Sequence, residues 1–311
     1  KKYHDVLNKT DGTPSSRLGY PMHFSPDGKS LFFTDNELGD PNLVMMDMDS
    51  GDVTILSDIF TDLWFDMNPA GDTLVFVKNI GHGTAIFSLP LDSGAVAIRL
   101  SYETDPRNPV FSVDGSLVVY TARDMFGSKN LYTIQPDGSA YKKVTSFNDP
   151  ADAVVPVGIT TLEPSILYVM PSQTIKNQFE IWSINLDGSS DQFLTVCTLE
   201  ADDRPRISPN GEKVLYQRDH NLWIMNIDGS EQVRLTDLPS GHLAYHGQYS
   251  PSGSHIVYIH RLGNWGAESF IEWVRPNGQD FSRLSERHNI VLSDNEIQAN
   301  NNFRFWPVFQ P

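Results

Sequence analysis

The feature that most constrains this chain is a turn that keeps returning. The stretch from Tyr20 to Thr34, YPMHFSPDGKSLFFT, sets two short apolar runs on either side of Ser25-Pro26-Asp27-Gly28. Pro26 presets φ for the first corner, Asp27 tolerates the bend, and Gly28 supplies the positive φ that L-residues resist. The unit reads as a β-hairpin. With Ser25 as an anchor, equivalent positions fall at Asn68, Ser112, Thr160, Ser208 and Ser250, at spacings of 43, 44, 48, 48 and 42 residues. One hairpin cannot bury its own apolar face, but stacked copies at a near-constant period can.

A second mark runs in step with the first. Asp49-Ser50-Gly51, Asp92-Ser93-Gly94, Asp137-Gly138, Asp187-Gly188, Asp228-Gly229 and Asn277-Gly278 each divide an apolar run from a shorter one, which is hairpin chemistry. Each period therefore holds four strands, and four antiparallel strands repeated every 42 to 48 residues predict an all-β β-propeller occupying 1–311 as a single domain. The fourth copy is weakest, with Glu163-Pro164 where others carry Gly; it is placed by matching Tyr168 to Tyr120. Residues 1–9 resemble a fourth strand, and 304–311 resemble a first strand with Gln310 at the anchor place. The expectation is seven blades, six full and one split across the termini; six blades closing in a modified way are the alternative.

Composition narrows the partners. Against 23 Lys and Arg stand 39 Asp and Glu, a formal charge of −16 that repels nucleic acid and anionic lipid at long range. No run of 18 apolar residues suggests a membrane span, so no membrane insertion is expected. Cys197 is the lone cysteine, which excludes an internal disulfide and reads as a small buried hydrophobe. No signal peptide is visible, Lys1-Lys2-Tyr3 reads as a trimmed mature end, and sparse cysteine suits a periplasmic or secreted bacterial protein.

Residues at equal distance from the anchor occupy equivalent places on the innermost strands. Four before it, the channel mouth reads Pro21, Trp64, Asn108, Pro156, Arg204, His246 and Trp306; six before, Asp62, Asp202 and Arg304 follow on the same side. Indole faces pack on sugar faces and arginine forks grip carboxylates, so Trp64, Asn108, Arg204, Arg304 and Trp306 are the candidate contacts for a saccharide bearing a carboxylate. The structural reading of the same residues has Trp64 and Trp306 filling space between blades and Arg204 pairing with Asp202 or Asp203. His246 is a candidate base or metal ligand, or else bonds a neighbouring blade. Tyr245 is a second candidate base, expected to point to the other face. His23 and Asp66, each two before its anchor, are expected to pair on the opposite phase as a structural contact. His242, four before His246, does not form a helical metal pair. No phosphate loop, GxSxG elbow or HExxH motif occurs.

The SPDG-type turn followed by the DG turn resembles the TolB-type propeller repeat over nearly the whole chain. The runs LNKTDGTPSSRLGYPMHFSPDGKSLFF and SRLSERHNIVLSDNEIQANNNFRFWPVFQP look like the corresponding segments of oligogalacturonate lyases. That resemblance implies a seven-bladed propeller cleaving uronate oligosaccharides by β-elimination with a divalent metal, Ca or Mn. Of the family's metal ligands, His246 stands where one histidine is expected, whereas Asn301, Arg304 and Trp306 replace the others. Arg204 replaces the catalytic histidine, and Glu180 the substrate-binding arginine. In an elimination, Arg204 or Arg304 would neutralise the carboxylate and His246 or Tyr245 would take the proton. Two functions follow as expectations: an acidic-oligosaccharide binder, and if an enzyme then a carbon–oxygen lyase, or a non-catalytic TolB-like envelope scaffold that holds a protein partner.

Overall fold

In the computed structural model, which describes residues 18–25, 29–35, 42–47, 49–57, 64–92, 94–148, 154–161, 164–199, 204–250, 252–263 and 269–283, the six anchors close their turns in one way. The anchor N–H donates to the carbonyl five residues on, and that residue's N–H donates back to the anchor side chain. The two distances are 2.9 and 2.9 Å for Ser25 with Ser30, and 3.0 and 3.1 Å for Asn68 with Thr73. They are 2.8 and 3.0 Å for Ser112 with Leu117, and 3.0 and 3.2 Å for Thr160 with Ser165. For Ser208 with Lys213 they are 2.9 and 2.9 Å, and for Ser250 with His255 2.8 and 3.1 Å. An anchor must therefore carry a side-chain acceptor, which Ser, Thr and Asn supply. The fourth copy keeps both bonds although its turn has lost the glycine.

Each anchor joins the first and second strands of a four-stranded antiparallel sheet, and the described residues form six such sheets. These are the blades of a β-propeller. The count matches six blades and corrects the expectation of seven; 1–9 and 304–311, expected to frame the seventh, lie outside the described residues. The first strands are Leu18–Phe24, Phe65–Met67, Thr104–Phe111, Val155–Ile159, Arg206–Ile207 and Leu243–Tyr249. Those of blades one to five pack against one another in series.

The apolar core lies between blades. Each of five clusters draws on two consecutive blades, such as Leu167, Val169 and Ile181 of blade four with Val214, Tyr216 and Met225 of blade five. Cys197 sits in that cluster, 1% exposed. Eight residues past each anchor stands one aromatic: Phe33, Phe76, Tyr120, Tyr168, Tyr216 and Tyr258, none more than 2% exposed. The four tyrosine hydroxyls each donate to a carboxylate or amide oxygen, of Glu103, Asp191, Gln232 and Glu272 respectively, at 2.6 to 3.2 Å. This layer fills the wedge between radially splayed sheets while leaving no hydroxyl unsatisfied.

Candidate functional site in the central channel

The strand register fixes what faces the channel. In all six blades the residue two before the anchor pairs with the residue seven after it: His23 with Phe32, Asp66 with Val75, Val110 with Val119, Gly158 with Leu167, Arg206 with Leu215, and Gln248 with Val257. Five of these side chains line one cavity of about 80 Å³; Gly158, which has none, is replaced there by its neighbour Val157. Trp64, Pro156 and Arg204, four before their anchors, line the same cavity. His23 and Asp66 thus share a face with Trp64 and Arg204, contrary to the opposite phase expected for them, because two and four before an anchor have the same parity on an unbroken strand.

Blades one, three, four and six break that parity with a bulge just before this layer. In blade six Tyr245, not His246, pairs with Ile259, and in blade three Arg107, not Asn108, pairs with Thr121. His246 and Asn108 are the inserted residues, both held at φ +53°. A bulge residue leaves the ladder and its side chain leaves the alternation. His246 is consequently 1% exposed, its ring 4.8 Å from that of Tyr245. Tyr245 stands at the ladder position of Trp64, whose carbonyl accepts the Val77 N–H at 3.4 Å, and its ring centre lies 5.5 Å from the Arg261 guanidinium carbon.

Three expected contacts come together. The Arg204 guanidinium carbon lies 3.7 Å from the centre of the Trp64 ring, and Arg204 Nη2 donates to Asn108 Oδ1 at 3.1 Å. One arginine of blade five therefore reaches blades two and three. Asp62, Asp202, Asp203, Asn301, Arg304 and Trp306 lie outside the described residues, and of Pro21 only the backbone is described. Glu180, in the place of the expected arginine, accepts from Trp182 Nε1 at 3.0 Å and Ser172 Oγ at 2.8 Å.

His23 Nε2 stands 3.8 Å from Asp66 Oδ1, and the other oxygen, Oδ2, accepts the Phe111 N–H at 2.8 Å. Burial drives the two in opposite directions: it pushes the His23 imidazole below its ordinary value and the Asp66 carboxyl above its own. Each opposes the other's shift by attraction, and Arg206 lowers both. The sequence signal for this layer is that Phe24, Met67, Phe111, Ile159, Ile207 and Tyr249, one before each anchor, are all apolar, whereas His23, Asp66, Arg206 and Gln248 are polar.

Among the described residues no group of three His, Cys, Asp or Glu side chains could hold a metal ion, and His246 is enclosed in its bulge. Of the ligand positions that the resemblance implies, only His246 keeps a metal-binding side chain among the described residues, too few donors for Ca or Mn. A second histidine cluster lies in blade six: His242 Nδ1 is 2.9 Å from His260 Nε2, and His260 Nδ1 is 3.0 Å from Glu272 Oε2. Glu272 is fully buried and also takes the Tyr258 hydroxyl, so this chain of bonds is internal to the blade.

The fold of the described residues is that of a β-propeller with four-stranded antiparallel blades. Among solved structures the chain is similar to TolB from Acinetobacter baumannii, at 21% identity over 73% of this chain and 58% of that one, TM-score 0.54. It is also similar to an oligogalacturonate lyase from Vibrio parahaemolyticus (14% identity, 82% of this chain and 76% of that one, TM-score 0.57) and to an oligogalacturonate lyase in complex with manganese (14%, 84% and 78%, TM-score 0.59). The chain thus spans less than two thirds of the Acinetobacter protein, and identities this low speak for the fold alone. No family model and no curated protein matches the sequence. Among the described residues no helix is long and apolar enough to cross a membrane.

Proposed function

We propose that this propeller binds a carboxylate-bearing saccharide of the uronate class in its central channel, in a periplasmic or secreted setting. The observation that carries the reading is Arg204, laid on the Trp64 ring at 3.7 Å and oriented by Asn108 at 3.1 Å, with Arg206 on the same cavity wall. Two guanidinium groups and an indole are what a sugar acid needs: a fork for the carboxylate and an apolar face for the ring. Cleavage by β-elimination is the finer form of the proposal, with Arg204 neutralising the carboxylate and His246 or Tyr245 as base. Incubation with uronate oligosaccharides, with and without Ca²⁺ or Mn²⁺, tests both forms. Calorimetric binding supports the site, and rising ultraviolet absorbance from unsaturated product supports elimination. No heat and no absorbance change across pectic and other uronates overturns the reading.

A second reading, a non-catalytic scaffold for a protein partner, is favoured by Met125 and Phe126, 90% and 80% exposed at the tip of the hairpin joining Val118–Arg123 to Lys129–Ile134. A partner held there would lose affinity on Met125→Ser with Phe126→Ser and ignore Arg204→Ala; a saccharide would do the reverse.

A further inference from the structure

The carboxylate reading leaves His23 and Asp66 without a task. Both line the cavity, 29% and 20% exposed, with 3.8 Å between Nε2 and Oδ1. Asp66 cannot drift, since Phe111 N–H of the next blade holds its second oxygen at 2.8 Å. The His23 ring is braced by Phe65, 5.2 Å away. Among the described residues, the charged groups on the elements facing this pair across the cavity are Arg206 and Arg204 of blade five; blade six presents the uncharged Gln248, and blades three and four present Val110 and Val157.

These surroundings make the proton count of the pair depend on what else is in the cavity. In the empty channel Arg206 bears on both members and disfavours a proton on either. An arriving carboxylate offsets that positive field and adds a negative charge in a confined, weakly screened space, where a nearby charge strongly biases proton affinity. Resting on the proposed carboxylate site, we propose that His23 and Asp66 form a proton-binding dyad that takes up one proton when a carboxylate seats beside Arg204 and Arg206, making anion binding in this channel proton-coupled. The proton comes from solvent. No bond other than that to hydrogen is made, and the added positive charge balances the ligand's negative one.

The sign follows from linkage. Binding that takes up a proton strengthens as pH falls, by up to about tenfold per unit where the free dyad is fully deprotonated and the bound one is not. Burial holds the Asp66 carboxyl above its ordinary 3.8 and the His23 imidazole below its ordinary 6.5. The test is titration calorimetry of the whole chain with a uronate trisaccharide, in two buffers of different ionisation enthalpy, at about pH 5.5 and about pH 8. The expected result is uptake approaching one proton at the lower pH, with tighter binding there than at the higher. Asp66→Asn, which mimics the protonated carboxyl and keeps an oxygen for Phe111 N–H, is expected to bind more tightly than wild type at the higher pH and to lose most of the buffer dependence. Should that variant not fold, the wild-type pair of buffers still decides. Binding whose heat is the same in both buffers at both pH values overturns the dyad and leaves the carboxylate site standing. No binding at either pH overturns the carboxylate site and the dyad with it.

Discussion

Arg204 joins two interactions that ask for different things of a side chain. The stack on Trp64 needs a flat, weakly hydrated cation, and the bond to Asn108 needs a directed N–H. Lysine offers the charge without the plane, so Arg204→Lys should weaken uronate binding by about 1 to 2 kcal/mol, roughly tenfold, although the charge is kept. Calorimetry on the two proteins reads this directly, and equal dissociation constants would show that charge alone matters. His23 gives a residue-scale prediction in stability. Its imidazole is held below the ordinary 6.5 by burial, so the folded chain resists a proton that the unfolded chain accepts. A group with a depressed folded-state value contributes stability that is present above its unfolded value and lost as pH falls. His23's share of the stability should therefore be lost as pH is lowered through 6.5, while Asp66, raised by burial, acts in the opposite sense, and His23→Asn should lose less of its denaturant midpoint below 6.5 than wild type does. A variant that declines as steeply as wild type would remove His23 from the account.

At the scale of the element, the anchor turn and the later hairpin each carry one requirement that substitution can isolate. Ser208 Oγ takes the Lys213 N–H at 2.9 Å; Ser208→Ala should cost about 1 kcal/mol, and Ser208→Asn should recover most of it because Asn68 performs that office in blade two. The second hairpin offers a cleaner contrast. Gly138 and Gly188 sit at φ +87° and +89°, so alanine at either meets the left-handed penalty of about 1 to 2 kcal/mol. A Cβ at Gly138 would find Ile98 Cγ2 no closer than 3.8 Å, whereas one at Gly188 would lie 2.5 Å from the Val144 carbonyl oxygen of the preceding blade. Gly188→Ala should thus lower the melting temperature distinctly more than Gly138→Ala, and equal shifts would mean that the blades part without cost. Both turns were legible in the sequence because each is a backbone demand met by few residue types. The bulges were not, since an inserted strand residue changes no turn and keeps the apolar pattern around it. The trace they leave is slight: Asn108 and His246 fall at the same place before their anchors, and Asn and His are among the residues that tolerate positive φ. Counting back from the anchor by twos brings Trp64 and Arg204 together, and it breaks at the bulge of blade six, where Tyr245 and not His246 takes the ladder position.

The whole molecule sets a problem for the proposed ligand, because a chain of net charge −16 must admit an anion. Two fields compete along the approach. The radius of gyration of a compact chain of 311 residues is roughly 20 Å. At an ionic strength of about 0.01 M the Debye length is about 30 Å, so an incoming uronate feels the whole negative surface. At about 0.15 M it is about 8 Å, and only the groups at the cavity are felt, Arg204 and Arg206 among them. Salt should then remove the repulsion outside before it weakens the attraction inside, where a confined pair is screened least. The association rate of a uronate trisaccharide should rise several-fold between these two conditions while the dissociation rate changes little, the reverse of the decline with salt that an anion shows on a basic protein. Stopped-flow fluorescence on the intact chain measures both rates. An association rate that falls steadily as salt is added would mean that the encounter is steered by a positive face, and the channel lined by Arg204 and Arg206 would no longer be the place where the ligand enters.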